Sequence, residues 1–261
     1  MSRQAARNRG KEIAAHLGFD TTRSPVPGLD DLMAEAVYEG IWGRPQLALA
    51  ERAICTLAVL SSLQRLPSLQ SMVAAALRVG LTPRNVLEVF VQAGLYAGFV
   101  TTDASVAVAQ EVFQARGLSL VSEPQSKDST EGLDRKGREV MALLHGARAE
   151  EGYAAPGNSV TGALYPMAIR YGYGELWSRP GLNHRQRMLC ALAAFTALGL
   201  EGQLKKFAKS AGNVGLTPEE VIEAIIQTAP YGGFPRALNG LAIVSEVLAD
   251  RRREPLSGNR H

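Results

Sequence analysis

Apolar residues recur at helical spacing along most of the chain, and the same arrangement appears twice. In residues 52–63, Ile54, Leu57, Ala58 and Leu60 share one face, and residues 69–79 form a second amphipathic segment closed by Gly80. Thr82 and Pro83 read as the N-cap and first residue of a third helix reaching about Gly98, and a fourth runs from about Asp103 to Ala115. Thr217, Pro218 and Glu220 repeat that helix start as a capping box. Strand-like alternation is slight and the connections are short, so the pattern predicts an all-α bundle.

The repetition is long and ungapped. Residues 42–113 return at 177–248 with a constant offset of 135, and 25 of the 72 aligned pairs are identical. WxRPxL, a single Arg, a single Cys, VGLTP and ExxxQxxxYxGF recur in register, which defines a tandem duplicated helical module. A leading helix belongs to each copy, since KGREVMALLHG at 136–146 echoes RGKEIAAHLG at 9–18. The expected organisation is a first repeat over 1–118, a linker over 119–132, a second repeat over 133–253 and a flexible tail over 254–261. The second copy carries an extra GYAAPGNSVTGALYP before its Trp, which either covers a site or caps the outside.

Composition narrows the functional classes. With 261 residues and 46% hydrophobic content the chain has ample material for a core. A net charge of +3 spread along the sequence argues against nucleic acid, whose phosphates need clustered cations. The densest group, Arg251 to Arg253, reads as favourable charge at a helix end. No apolar run is long enough for a signal peptide or a membrane span, so a cytoplasmic protein without membrane association is expected. Cys55 and Cys190 occupy equivalent apolar positions, as small core residues of a reduced chain do, and no His pair has metal-ligand spacing.

Candidate chemistry concentrates on the third helix of each copy. Glu88, Gln92 and Tyr96 form a narrow polar stripe at i, i+4 and i+8 among apolar neighbours, and Glu223, Gln227 and Tyr231 repeat it. Desolvation would raise such a carboxyl toward neutrality, suiting a general acid or base. Arg52 and Arg187, each opening a long apolar helix of its own copy, are the expected counter-charges, able to anchor a substrate carboxylate. A buried Arg–Glu pair joining two helices fits the same pattern. Trp42 and Trp177 are pocket-wall or packing residues. Phosphate-loop, dinucleotide and nucleophile-elbow motifs are absent.

The order WxRPxL, Arg, a long Ala/Leu helix, then GLTPxxVxExxxQxxxYxG resembles the carboxymuconolactone decarboxylase family, whose superfamily includes alkylhydroperoxidase D. The resemblance implies an all-helical fold without an organic cofactor, in which a fused two-repeat chain looks like a covalent dimer. It further implies a homo-oligomer, a trimer or dimer of such chains, and acid–base chemistry on a small-molecule substrate. The peroxidase branch needs a CxxC pair that is missing here. Where the decarboxylase pattern carries a Glu and a His on the second helix, this chain has Ser68 and Met72, and Gln203 and Phe207. The expected activity is therefore a lyase, isomerase or cyclase step on an enolisable, largely apolar lactone-like or polyketide-like compound. Glu88 or Glu223 would act as acid/base, Tyr96 or Tyr231 would hold an enolate oxygen, and Arg52 or Arg187 would orient the substrate. A non-catalytic ligand-binding or scaffold protein of the same fold is the alternative.

Overall fold

Each repeat begins with a glycine that lets two helices touch. A computed structural model describes residues 2–120, 126–151 and 157–253. The tail over 254–261, the middle of the linker, the first part of the second-copy insertion and the side chains of Arg251 to Arg253 lie outside the described residues. In the first repeat α1 (Arg3–Leu17) lies along α2 (Leu29–Met33) and the π-helical turn Ala34–Trp42 that continues it. A Cβ on Gly10 would overlap the Ala34 carbonyl, so only glycine permits this approach. In the second repeat α7 (Thr130–His145) meets the π-helical turn Ala168–Glu175, which follows the short α8 (Tyr165–Met167), and Gly137 plays the same part against Ile169.

The long helices follow the expected order. In the first repeat they are α3 (Leu49–Ser62), α4 (Leu66–Arg78), α5 (Pro83–Ala97) and α6 (Phe99–Ala115). In the second they are α9 (His184–Leu198), α10 (Glu201–Ser210), α11 (Pro218–Gly232) and α12 (Phe234–Arg253). Thr82 caps α5 by accepting from the Asn85 amide, and Thr217 caps α11 by accepting from Glu220, as the sequence predicts. The fourth helix starts at Phe99, a turn earlier than expected, because Gly98 at φ 98° makes the bend alone. No strand occurs among the described residues.

The two repeats share one core. α3 packs against α9 at the centre, and α5 and α11 each pack on both of them. Ile54, Leu57, Val86, Phe90, Leu189, Leu192, Ala224 and Ile225 are fully buried there, together with Cys55 and Cys190. Area-proportional burial of this kind supplies the main favourable term of folding. The shared core places the third helix of one repeat beside the Arg-bearing helix of the other.

Candidate active site

The charged networks are exchanged between repeats. The sequence reading set Arg52 beside Glu88 and Arg187 beside Glu223; the observed pairs are reversed. Arg187 Nη2 lies 3.0 Å from Glu88 Oε2, and Arg52 Nη2 lies 2.7 Å from Glu223 Oε2. The cause is the central packing of α3 on α9, which turns the start of each helix toward the other repeat's third helix. Both arginines are 0% exposed, so each ion pair is fully desolvated.

Each carboxylate has further guanidinium partners. Arg179, from the second WxRP motif, donates from Nε and Nη2 to Glu88 Oε1 at 3.0 and 2.9 Å, and Arg84 Nη2 lies 3.0 Å from the same oxygen. Arg44, from the first WxRP motif, donates to Glu223 Oε1 from Nε at 2.8 Å and from Nη2 at 2.6 Å. Gly181, at φ 97°, passes so close to Glu88 that a Cβ would meet its Cγ. Burial raises the Glu223 pKa, but the hydrogen bonds from Arg44 and Arg52 outweigh it and hold the group below the ordinary carboxylate range. This reverses the expected rise at Glu223. Burial also pushes the Arg187 pKa down against the hydrogen bond that it donates to Glu88.

The network runs on to the tyrosines. Arg187 Nη1 donates to Gln92 Oε1 at 2.9 Å, which turns the Gln92 amide so that Nε2 donates to Tyr96 Oη at 2.8 Å. Trp177 Nε1 donates to the same oxygen at 3.2 Å. Tyr96 therefore accepts both of these bonds and keeps its own proton available, while burial holds its pKa well above the ordinary tyrosine value. In the other network Trp42 Nε1 donates to Tyr231 Oη at 2.8 Å, but Gln227 Nε2 donates to Thr56 Oγ1 at 3.1 Å. Position 56 aligns with Ala191, so the second copy has no hydroxyl there to intercept Gln92.

A cavity of about 520 Å³ lies beside Tyr96. Tyr173, Trp177, Phe195 and Phe207 wall it with Leu95, and Gln203 and Lys206 add polar atoms. The cavity thus joins Tyr96 of the first repeat to Trp177 and Phe207 of the second. Their counterparts are Trp42, buried like Trp177, and Met72, and in that copy Phe19 packs on Tyr38 with ring centroids 5.9 Å apart. In the register that aligns Gly10 with Gly137, Phe19 falls opposite Gly146, and Tyr173 instead meets the His145 ring edge-on, with centroids 5.9 Å apart.

His145 backs the cavity wall. Its Nε2 lies 3.2 Å from Tyr173 Oη and its Nδ1 2.7 Å from Ser210 Oγ, which also accepts from Arg148 Nη2 at 3.1 Å and donates to the Lys206 carbonyl at 3.2 Å. The donor order satisfying every group places the His145 proton on Nδ1 and makes Tyr173 the donor to Nε2. Burial, then Lys206 and Arg148, push the His145 pKa down to about 3, so the ring is neutral near pH 7.

Sequence reasoning singled out Glu88, Glu223, Tyr96, Tyr231, Arg52, Arg187, Trp42, Trp177, Met72 and Phe207, but missed Arg44, Arg179, His145, Tyr173 and Lys206. The WxRP arginines were visible as repeated residues, and Tyr173 as the repeat of Tyr38. His145 and Lys206 carry no repeat signal, because their counterparts are Gly18 and Ser71. Burial pushes the Cys55 pKa up to about 12 and Cys190 also upward, which disfavours thiolate chemistry. Among the described residues no group of three or more His, Cys, Asp or Glu side chains is placed to hold a metal ion, and no helix is long and apolar enough to cross a membrane.

Two all-α modules exchanging Arg–Glu–Gln networks across a shared core define a tandem helical repeat protein. The model of the carboxymuconolactone decarboxylase family matches residues 27–111 and again 162–246, and the chain belongs to that family. The 4-carboxymuconolactone decarboxylase of Acinetobacter baylyi is 36% identical over 81 residues, which make up 31% of this chain and 60% of that protein. The nitrosuccinic acid decarboxylase of Metarhizium robertsii is 29% identical over 84 residues, 32% of this chain and 59% of that protein. The chain thus spans about 60% of the length of the curated relatives it matches. A crystal structure from Burkholderia xenovorans, provisionally described as a gamma-carboxymuconolactone decarboxylase subunit, shares the fold with a TM-score of 0.52 at 18% identity, covering 96% of this chain and 99% of that one.

Proposed function

We propose that this chain is a cofactor-independent lyase of the decarboxylase type, acting on an apolar, oxygenated carboxylic acid bound beside Tyr96. The carrying observation is the Tyr96 hydroxyl, which accepts from Gln92 and Trp177 and so has its proton to give at the wall of an aromatic cavity. Decarboxylation breaks the bond to the carboxyl carbon, and CO2 leaves without its electron pair. That pair passes into an adjacent carbonyl as an enolate, and the carbon then takes a proton from water. Tyr96 donates a hydrogen bond to the enolate oxygen, and the apolar walls favour conversion of a charged carboxylate into neutral CO2.

On this reading Glu88 and Arg187 position Tyr96 through Gln92 and do not exchange protons with substrate. The same enolate would serve isomerisation or ring closure, and the two relatives named as decarboxylases favour the lyase step. The test is CO2 release from 4-carboxymuconolactone, nitrosuccinic acid and benzoylacetate, an aromatic β-keto acid. Turnover of one of them, falling about 100-fold in Tyr96→Phe with substrate binding retained, is the expected result. Binding of these acids without CO2 release from any would overturn the lyase reading in favour of a ligand-binding protein.

A further inference from the structure

The aromatic cavity continues into a second hollow of different character. A space of about 570 Å³ is lined by Arg148, Glu151, Asn158, Lys205, Lys206 and Lys209, with Gly202. Gly202 and Lys206 also line the inner cavity, so the two spaces meet there. Among the described residues, four cations and one carboxylate, Glu151, line the outer hollow; Lys205 is paired with Glu246 at 2.9 Å, and Arg148 donates to Ser210. Lys206 is half-buried at the junction.

This charge belongs to one repeat alone. At the offset of 135, Lys205, Lys206 and Lys209 align with Gln70, Ser71 and Ala74, and Gly202 aligns with Pro67. The repeat that supplies Tyr173, Trp177 and Phe207 to the aromatic cavity therefore also supplies the cations at its mouth. A solvated helix face would not need a lysine half-buried against an apolar cavity, where losing water is costly unless an anion restores the lost interaction.

We propose that the ligand of this site is an amphipathic anion, with an apolar ring or chain beside Tyr96 and Phe207 and a non-reacting anionic group held by Lys206 and Arg148. This rests on the cavity assigned under the proposed function and narrows the substrate to acids carrying a second, distal negative charge. The outer group is not the one lost as CO2, because a carboxylate fixed by two cations is stabilised in its charged form.

The test is binding of two fluorescent probes to the intact chain: 1-anilinonaphthalene-8-sulfonate and its uncharged analogue N-phenyl-1-naphthylamine. Lys206→Ala with Arg148→Ala is expected to weaken the sulfonate about five-fold or more and to leave the neutral probe unchanged. Added salt should weaken only the sulfonate. Gly202→Phe, at a position where a Cβ meets nothing within 4 Å, should fill the junction and remove both probes. Displacement of the sulfonate by decanoate or decyl phosphate, but not by decanol, supports the anion site, and the better competitor identifies the preferred anion. Equal displacement by decanol, or unchanged sulfonate affinity in the double variant with an unaltered melting temperature, overturns it. These readouts need no turnover, so failure to release CO2 would remove the lyase reading and leave the anion site standing.

Discussion

Glu88 has three guanidinium neighbours, and at a buried position that is a structural commitment before it is a chemical one. Removing its charge leaves Arg187 buried and uncompensated, so Glu88→Gln is expected to lower unfolding stability by roughly 3 kcal/mol in urea titration. An unchanged midpoint would show that the network does not hold the fold. His145 gives a second residue-level expectation. Its folded pKa of about 3 lies below the ordinary value near 6.5, so between those pH values the unfolded chain takes a proton that the native one refuses. Stability therefore falls as pH falls through that window, by up to about 1.4 kcal/mol per pH unit from this group. His145→Gln should flatten that slope, and equal slopes for variant and parent from pH 6.5 to pH 4 would contradict the assignment. The residue types at the site were legible because they recur in register. The exchange of partners was not, because Arg52 and Arg187 align with each other and the sequence fits pairing within a repeat as well as pairing across repeats. The Glu223 pKa followed the unseen partners, since neither WxRP arginine had been connected to a carboxylate.

Helix limits were readable from local chemistry. Thr82, Thr217 and the glycines at 98 and 233 that end α5 and α11 act within a turn of where they stand, so their effect needs no knowledge of the fold. The π-helical turns Ala34–Trp42 and Ala168–Glu175 lacked such a signal, because their side-chain pattern differs little from that of an α-helix. The leading helices add an expectation of their own. Gly137→Ala would drive a methyl group into the Ile169 carbonyl, forcing α7 off the turn that carries Tyr173 and displacing His145 with it. A loss of about 2 kcal/mol or more and a weakened neutral-probe signal are expected, measured by thermal melting and fluorescence. Alanine ordinarily stabilises a helix relative to glycine, so a raised melting temperature would show that the close approach is absent.

For the whole molecule the exchanged networks make the two repeats one folding unit. Of chains covering 1–120 and 126–261, produced separately, the second lacks both arginines that pair with Glu223, and the first keeps only Arg84 of the three at Glu88. Neither is expected to exist as a folded monomer in sedimentation and circular dichroism, whereas together they should associate and recover cooperative unfolding. A stable monomeric half would disprove the shared core as the basis of the fold. The duplication itself was plain in the sequence, yet the cavity beside Tyr96 was not. Its wall carries Phe207 where the other copy has Met72, and Phe19, which packs on Tyr38, has Gly146 as its counterpart, a difference outside the ungapped repeat.

Joining the two modules in one chain has a further effect on what substitutions can do. In an assembly of identical subunits every change appears at both symmetric positions, so a lysine introduced at one mouth is introduced at the other. Here Thr56 could remain while its counterpart is Ala191, and Lys206 could arise while Ser71 stayed neutral. The linker thereby lets equivalent positions diverge that symmetry would have tied together: one network can hold Gln227 on Thr56, and the other can free Gln92 for Tyr96 beside an opening rimmed by Lys206.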